Sequence, residues 1–114
     1  MNPINRDELR GHLETMVLSV LEKGEGHGLE IMRRLEAAGS GALRLREGTL
    51  YPALYRLENA RLIRARWEKQ PKGKRGPRKR IYQLTSRGRG QLNKGRQSWK
   101  HFVSVIGPIV EAAT

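Results

Sequence analysis

The sequence predicts a mainly α domain that carries one small β-hairpin. Two patterns lead there. Apolar residues recur every three to four positions in four stretches, and in one later stretch they alternate every second position. A third observation concerns charge. Residues 1–60 hold eight Lys/Arg and nine Asp/Glu, a net of −1, whereas residues 61–114 hold fifteen Lys/Arg and two Asp/Glu, a net of +13. So concentrated a positive field repels itself, and it points to a polyanionic partner.

The first helix is expected over residues 7–23. Leu9, Leu13, Met16, Val17, Val20 and Leu21 make one apolar stripe. Asp7 and Glu8 suit its positive N-terminal end, and Gly24 and Gly26 stop it. A second, short helix over residues 28–38 puts Ile31, Met32 and Leu35 on one face and Arg33 and Arg34 on another, and Gly39-Ser40-Gly41 ends it. Leu43-Arg44-Leu45 reads as a brief extended piece. The third helix is expected over residues 47–60, with Leu50, Leu54 and Leu57 toward the core. Pro52 belongs in its first turn, where a missing N–H costs nothing.

The hairpin follows. Ile63, Ala65 and Trp67 alternate with Arg64, Arg66 and Glu68, and Ile81-Tyr82-Gln83-Leu84-Thr85 is strand-like. The loop between them, residues 69–79, contains two Pro, two Gly and six Lys/Arg. The last helix is expected from Ser86 or Arg87 to Ile106, striped by Leu92, Trp99, Phe102, Val103 and Ile106. Gly107-Pro108 is expected to end or kink it. With 114 residues the chain is one domain's worth. Residues 1–85 read as the binding unit, and residues 86–114 as a C-terminal dimerisation helix and tail.

Three helices followed by a basic-tipped hairpin make a winged helix-turn-helix, in which the third helix enters the major groove and the wing lies on the flanking backbone or minor groove. Gly48-Thr49-Leu50-Tyr51-Pro52-Ala53-Leu54-Tyr55-Arg56-Leu57-Glu58 resembles the signature of PadR-like transcriptional regulators. His27-Gly28-Leu29-Glu30-Ile31 is similar to the start of that family's second helix. Arg78-Lys79-Arg80-Ile81-Tyr82-Gln83-Leu84-Thr85, then Gly88, is similar to its second wing strand. The matches stand in the family's order over about residues 9–92. The resemblance implies a winged-helix DNA-binding domain, a dimer built through the C-terminal helix, and repression of nearby genes; the single short C-terminal helix looks like the family's smaller subgroup. Two departures stand out. Leu29 replaces a common tyrosine, and Arg61 stands where the family favours glycine. A left-handed residue there would strain Arg61, so a different turn, or help from Asn59, is expected.

The expected DNA contacts are Thr49, Tyr51, Pro52, Tyr55 and Arg56 on the third helix, and Lys72, Lys74, Arg75, Arg78, Lys79 and Arg80 on the wing. His27 and Gly28 join them at the second helix's N-terminus, whose free N–H groups suit a phosphate. Leu92, Trp99, Phe102, Val103 and Ile106 are the expected dimer interface, Trp99 and Phe102 also lining a candidate effector pocket. Trp67 is expected as a strand residue packing near the same junction.

Other chemistries find no support. Cysteine is absent, which removes disulfides, Cys-based zinc sites and thiol nucleophiles. His12, His27 and His101 are dispersed, and no carboxylate pair stands near a nucleophile, so no metal, cofactor or reaction is expected. Gly88, Gly90 and Gly95 do not fit a dinucleotide loop. The uncharged stretch at residues 102–110 is far below the roughly 20 residues that cross a bilayer. The first eight residues lack a signal peptide's apolar stretch, so an intracellular protein is expected; with the family resemblance, the expected location is the cytosol or nucleoid of a prokaryote. The reading is a homodimeric, sequence-specific regulator of double-stranded DNA, a repressor, with a small-molecule effector as a further partner. The rival is a non-specific basic packaging or RNA-associated protein; a weaker one is a module binding an acidic protein.

Overall fold

Apolar spacing decides which faces meet. The computed structural model describes residues 6–69, 73 and 76–112, with side chains from residue 11 onward. The elements are α1 (Arg6–Glu22), β1 (Gly26–His27), α2 (Gly28–Ala38), α3 (Glu47–Asn59), β2 (Ile63–Trp67), β3 (Arg80–Leu84) and α4 (Ser86–Val110). One core joins Val17, Leu18 and Leu21 of α1, Ile31 and Leu35 of α2, Leu50, Leu54 and Leu57 of α3, Ile63, Tyr82 and Leu84 of the sheet, and Leu92 of α4. Leu18, outside the expected stripe, is buried, while Met16 and Val20 are only partly so. The reason is that α1 packs on α2 and α3 on one side and on α4 on the other, which widens its buried arc.

The sheet has three strands, not two, in the order β1-β3-β2, all antiparallel. Ile63 pairs with Leu84 and Trp67 with Arg80. Gly26 and His27 pair with Tyr82 and Ile81. A two-residue strand has no periodicity to read, so β1 left no trace in the sequence. Leu43 and Leu45 pack on the core, but no strand forms there.

Helix ends show where local chemistry wins. At the end of α3, Leu62 N–H donates to Leu57 C=O (3.0 Å) and Arg61 N–H to Glu58 C=O (2.9 Å), with Arg61 at φ 61°. That is a Schellman closure. The expected avoidance of a left-handed Arg61 is therefore corrected: the two hydrogen bonds hold it there. Pro52 lies in the second turn of α3, not the first. It is exposed, so the Gly48 carbonyl it deprives of a partner faces water. Nor does Gly107-Pro108 end α4, which runs to Val110 with the exposed Pro108 inside it.

Two glycines seat α4. A Cβ on Gly88 would lie 2.0 Å from the Leu62 carbonyl oxygen, and one on Gly95 would lie 2.3 Å from Thr15 Oγ1. The Thr85 hydroxyl caps α4, accepting from Gly88 N–H at 3.0 Å and donating to the Arg61 carbonyl at 2.8 Å. Beyond Gly95, Arg96, Trp99 and Phe102 still meet α1, and past them Val103, Ile109 and Val110 are exposed. The radius of gyration is 16.5 Å, against about 13 Å for a compact chain of this length, and the principal extents are 66 × 29 × 23 Å.

Candidate nucleic-acid interface

Burial of Leu50, Ala53, Leu54 and Leu57 turns the opposite side of α3 to solvent. Thr49, Tyr51, Pro52 and Tyr55 occupy it, Tyr55 at 68 % exposure. Arg46 is the N-cap of α3 and its side chain makes no cap hydrogen bond. The Thr49 amide donates to the Arg46 carbonyl at 3.0 Å, which leaves the amides of Glu47 and Gly48, at the positive end of the dipole, to an outside acceptor. Thr49 is the third helical residue rather than a cap.

Arg56, expected on this surface, is drawn to α1, where its Nε donates to Glu14 Oε1 at 2.8 Å. The N-terminus of α2 is capped from within the chain. His27 Nδ1 accepts from Glu30 N–H, and Glu30 Oε1 accepts from His27 N–H, both at 3.3 Å. This capping box takes up the amides of His27 and Glu30 from within the chain. Gly28 is buried, and a Cβ there would lie 2.3 Å from the Tyr51 hydroxyl. Arg34 braces this corner by donating to the carbonyls of Gly24 and Glu25, each at 2.9 Å.

The wing is tied down at its base. Both Arg66 terminal nitrogens donate to the Glu25 carboxylate at 2.7 Å. That pair holds Glu25 below the usual carboxylate range and Arg66 above its ordinary value. Arg80 bonds Glu58 of α3 and lies over the Trp67 ring, 5.6 Å from its centre. Trp67 therefore belongs to the wing, not to a junction with α4. Arg78 and Lys79 are exposed and form no ion pair among the described residues. Lys72, Lys74 and Arg75 lie outside the described residues. A groove of about 180 Å³ runs between wing and helices, lined by His27, Gly28, Leu29, Tyr51, Lys79, Arg80 and Tyr82. Leu29 and Tyr82 were not read as site residues; Tyr82 reads as sheet core, and burial pushes its phenol up from the ordinary value.

Residues 17–94 match the Transcriptional regulator PadR-like family. The chain belongs to that family. A transcriptional regulator from Clostridium thermocellum is similar in structure, with a TM-score of 0.80 and 28 % identity over 91 % of this chain and 98 % of that one. A PadR-like transcriptional regulator from Bacillus cereus gives 0.71 and 26 %, covering 94 % and 99 %. An uncharacterised protein from Lysinibacillus sphaericus is 28 % identical over 95 % of this chain and 96 % of its own. The protein is thus a PadR-family winged-helix regulator that binds DNA, and the family consists of transcriptional regulators rather than enzymes. Among the described residues no helix is long and apolar enough to cross a membrane.

In this PadR-like chain the outer part of α4 carries the remaining site residues. Leu92 has no exposed surface and belongs to the chain's own core, which corrects its expected place at an interface. Trp99 and Val103 are exposed at 50 % and 44 %, and Phe102 and Ile106 are half-buried. Ile109 and Val110, unread in the sequence, extend the stripe. Trp99 stacks on Phe102 at 5.9 Å between ring centres, and His12 meets both rings edge-on at 5.2 and 4.9 Å. A cavity of about 230 Å³ is lined by Trp99, His12, Thr15, Met16, Ser19 and Arg96; Phe102 stands behind Trp99 and not in its wall. His12 lies four residues before Met16, an interval that puts both on one side of α1.

Proposed function

We propose that this PadR-like regulator is a homodimeric, sequence-specific repressor of the prokaryotic cytosol or nucleoid. It sets α3 in the major groove and the wing on the flanking backbone. The observation that carries this reading is the exposed face of α3. Thr49, Pro52 and Tyr55 face outward from a helix whose other side is fixed in the core, and Arg78 and Lys79, which form no ion pair among the described residues, stand on the adjoining wing. Thr49 and Tyr55 offer hydroxyls to base edges or phosphates, and Pro52 offers an apolar surface to a thymine methyl. The apolar stripe of α4 supports a second copy as partner, because Trp99, Val103, Ile109 and Val110 have too little of their own chain to cover them. Two reading heads then meet half-sites about 34 Å apart. An effector in the Trp99–His12 cavity releases DNA by favouring a dimer geometry in which the heads are out of register.

Fluorescence anisotropy tests the reading, with the duplex upstream of the protein's own gene and a scrambled duplex, over a range of salt. Binding tighter to the native duplex by about 10³ or more at physiological salt is expected. Equal binding that collapses with salt overturns it. Sedimentation equilibrium tests the dimer: Val103→Lys is expected to give a monomer, and an unchanged mass overturns the α4 interface.

A further inference from the structure

The contact between Gly28 and Tyr51 joins the two short motifs that the sequence presents separately. We propose that Gly28 is a positioning residue for DNA binding: the missing side chain at 28 seats the Tyr51 phenol in the wing groove, where its hydroxyl donates to a backbone phosphate held by Lys79. This rests on the DNA-binding reading and assigns one part of that surface.

At Gly28 there is no room for a side chain. An ideal Cβ there would lie 2.3 Å from the Tyr51 hydroxyl oxygen, 2.7 Å from Cζ and 2.9 Å from Cε1. The phenol tip therefore lies directly on the α2 backbone. Conformational freedom does not explain the glycine, since Gly28 has no positive φ. It opens α2, where alanine is intrinsically better. What alanine cannot share is the space that Tyr51 fills.

The seat fixes what the hydroxyl meets. Gly28, Tyr51, Lys79 and Arg80 line one groove, with Leu29 on its rim. The Arg80 guanidinium is engaged by Glu58 and Trp67, so it serves as wall. Lys79 forms no ion pair among the described residues, and it supplies the charge. A neutral donor and an ammonium that line one narrow groove suit a phosphate oxygen. The Tyr51 tip, lying back on α2 toward the wing, points to backbone rather than to base edges. Tyr51 then sets the protein's position on the duplex, while Thr49, Pro52 and Tyr55 are left to read sequence.

The test compares wild type, Tyr51→Phe, Gly28→Ala and the double variant, on native and scrambled duplexes, by anisotropy over a range of salt. Tyr51→Phe is expected to lose about tenfold on both duplexes, the low end for a hydrogen bond to a charged acceptor. Its salt slope is expected to stay unchanged, because a hydroxyl releases no counterion. Gly28→Ala is expected to lose a similar factor, and the double variant no more than either single, since the seat and the hydroxyl are one device. A wild type that binds neither duplex overturns the DNA-binding reading itself. A wild type that binds, with both single variants within twofold of it, overturns only this proposal. So does a Tyr51→Phe loss confined to the native duplex, or a double variant showing the product of the two losses. Should Gly28→Ala fail to fold, a Tyr51→Ala background clears the space. Recovery of the fold there supports the seat, and continued failure overturns it.

Discussion

Replacing Gly88 and Gly90 in turn by alanine separates close packing from helix propensity. Both lie in the first turns of α4. A methyl at Gly88 would meet the Leu62 carbonyl oxygen at 2.0 Å and Leu84 Cδ1 at 2.7 Å, whereas nothing lies within 4 Å of a Cβ at Gly90. Ordinary contact begins near 3.4 Å, so α4 must retreat by about 1.4 Å from a carbonyl that has no rotamer to change. That same carbonyl accepts the Thr85 N–H at 3.1 Å and, at 3.0 Å, shares the Thr85 hydroxyl proton with the Arg61 carbonyl. The retreat therefore strains the strand end and the helix cap together. Overpacking costs about 1–3 kcal/mol and a weakened cap about 1 kcal/mol. Better helix propensity returns about 1 kcal/mol. The net loss for Gly88→Ala is about 1–3 kcal/mol, against a gain of about 0.5–1 kcal/mol for Gly90→Ala. With an unfolding entropy of roughly 2.1 cal/mol/K per residue, 1 kcal/mol moves the Tm of a chain this long by about 4 °C. Gly90→Ala is expected to melt about 2–4 °C higher than wild type and Gly88→Ala about 4–12 °C lower. Circular dichroism melts at one fixed protein concentration read this, since association shifts Tm. A Gly88→Ala protein as stable as Gly90→Ala refutes the packing argument.

Arg61→Gly is expected to raise stability by about 0.5–1 kcal/mol, because glycine takes the left-handed position without a Cβ penalty; urea unfolding reads it, and a loss would mean that the Arg61 side chain matters more than its φ. Burial raises the Tyr82 phenol, so its stabilising effect is complete below the usual value near pH 10 and is lost as pH rises through the folded value. Melts between pH 8 and 11 should show wild type falling more steeply than Tyr82→Phe. Glu22 is held low by its hydrogen bond from Arg96, so its contribution is present above the carboxylate range and lost as pH falls through the folded value. Glu22→Gln is therefore expected to melt slightly lower at pH 7, with the gap closing below about pH 4 and in high salt. Arg78→Ala is expected to lower the slope of log K against log salt by about 0.9, and an unchanged slope removes Arg78 from the phosphate contacts.

Elements with long periodic stretches were legible, and so was their order. The stripe of Leu50, Leu54 and Leu57 set the orientation of α3, and with it the exposure of Thr49 and Tyr55. What escaped the sequence depends on neighbours distant along the chain. Arg56 has the right interval to face a ligand, but Glu14, forty-two residues earlier, takes its guanidinium. His27 begins a helix as a phosphate site would, yet the Glu30 carboxylate three residues later closes the cap. Leu92 fits the α4 stripe, but that stripe turns from core to solvent along the helix, and periodicity does not say where. Prolines misled for a related reason. Pro52 and Pro108 are both exposed, so the carbonyls they leave unpaired reach water and the helices continue.

The charge asymmetry has two uses, and the structure separates them. Arg66, Arg80 and Arg96, all from the basic half, bond Glu25, Glu58 and Glu22 of the other half. These pairs orient the wing and α4 on the helical core and cancel much of their own field. On the proposed reading, the net positive charge that DNA meets comes from cations that form no ion pair among the described residues, such as Arg78 and Lys79 of the wing, with Lys79 sharing a groove with Tyr51 of α3. The two uses respond differently to salt. Exposed pairs contribute little to stability, so screening them barely loosens a fold held by its apolar core. Binding that releases counterions weakens steeply over the same range. A salt titration of this protein therefore reads its DNA surface and not its unfolding, and a melt that held steady while affinity fell would show the two sets of cations acting apart.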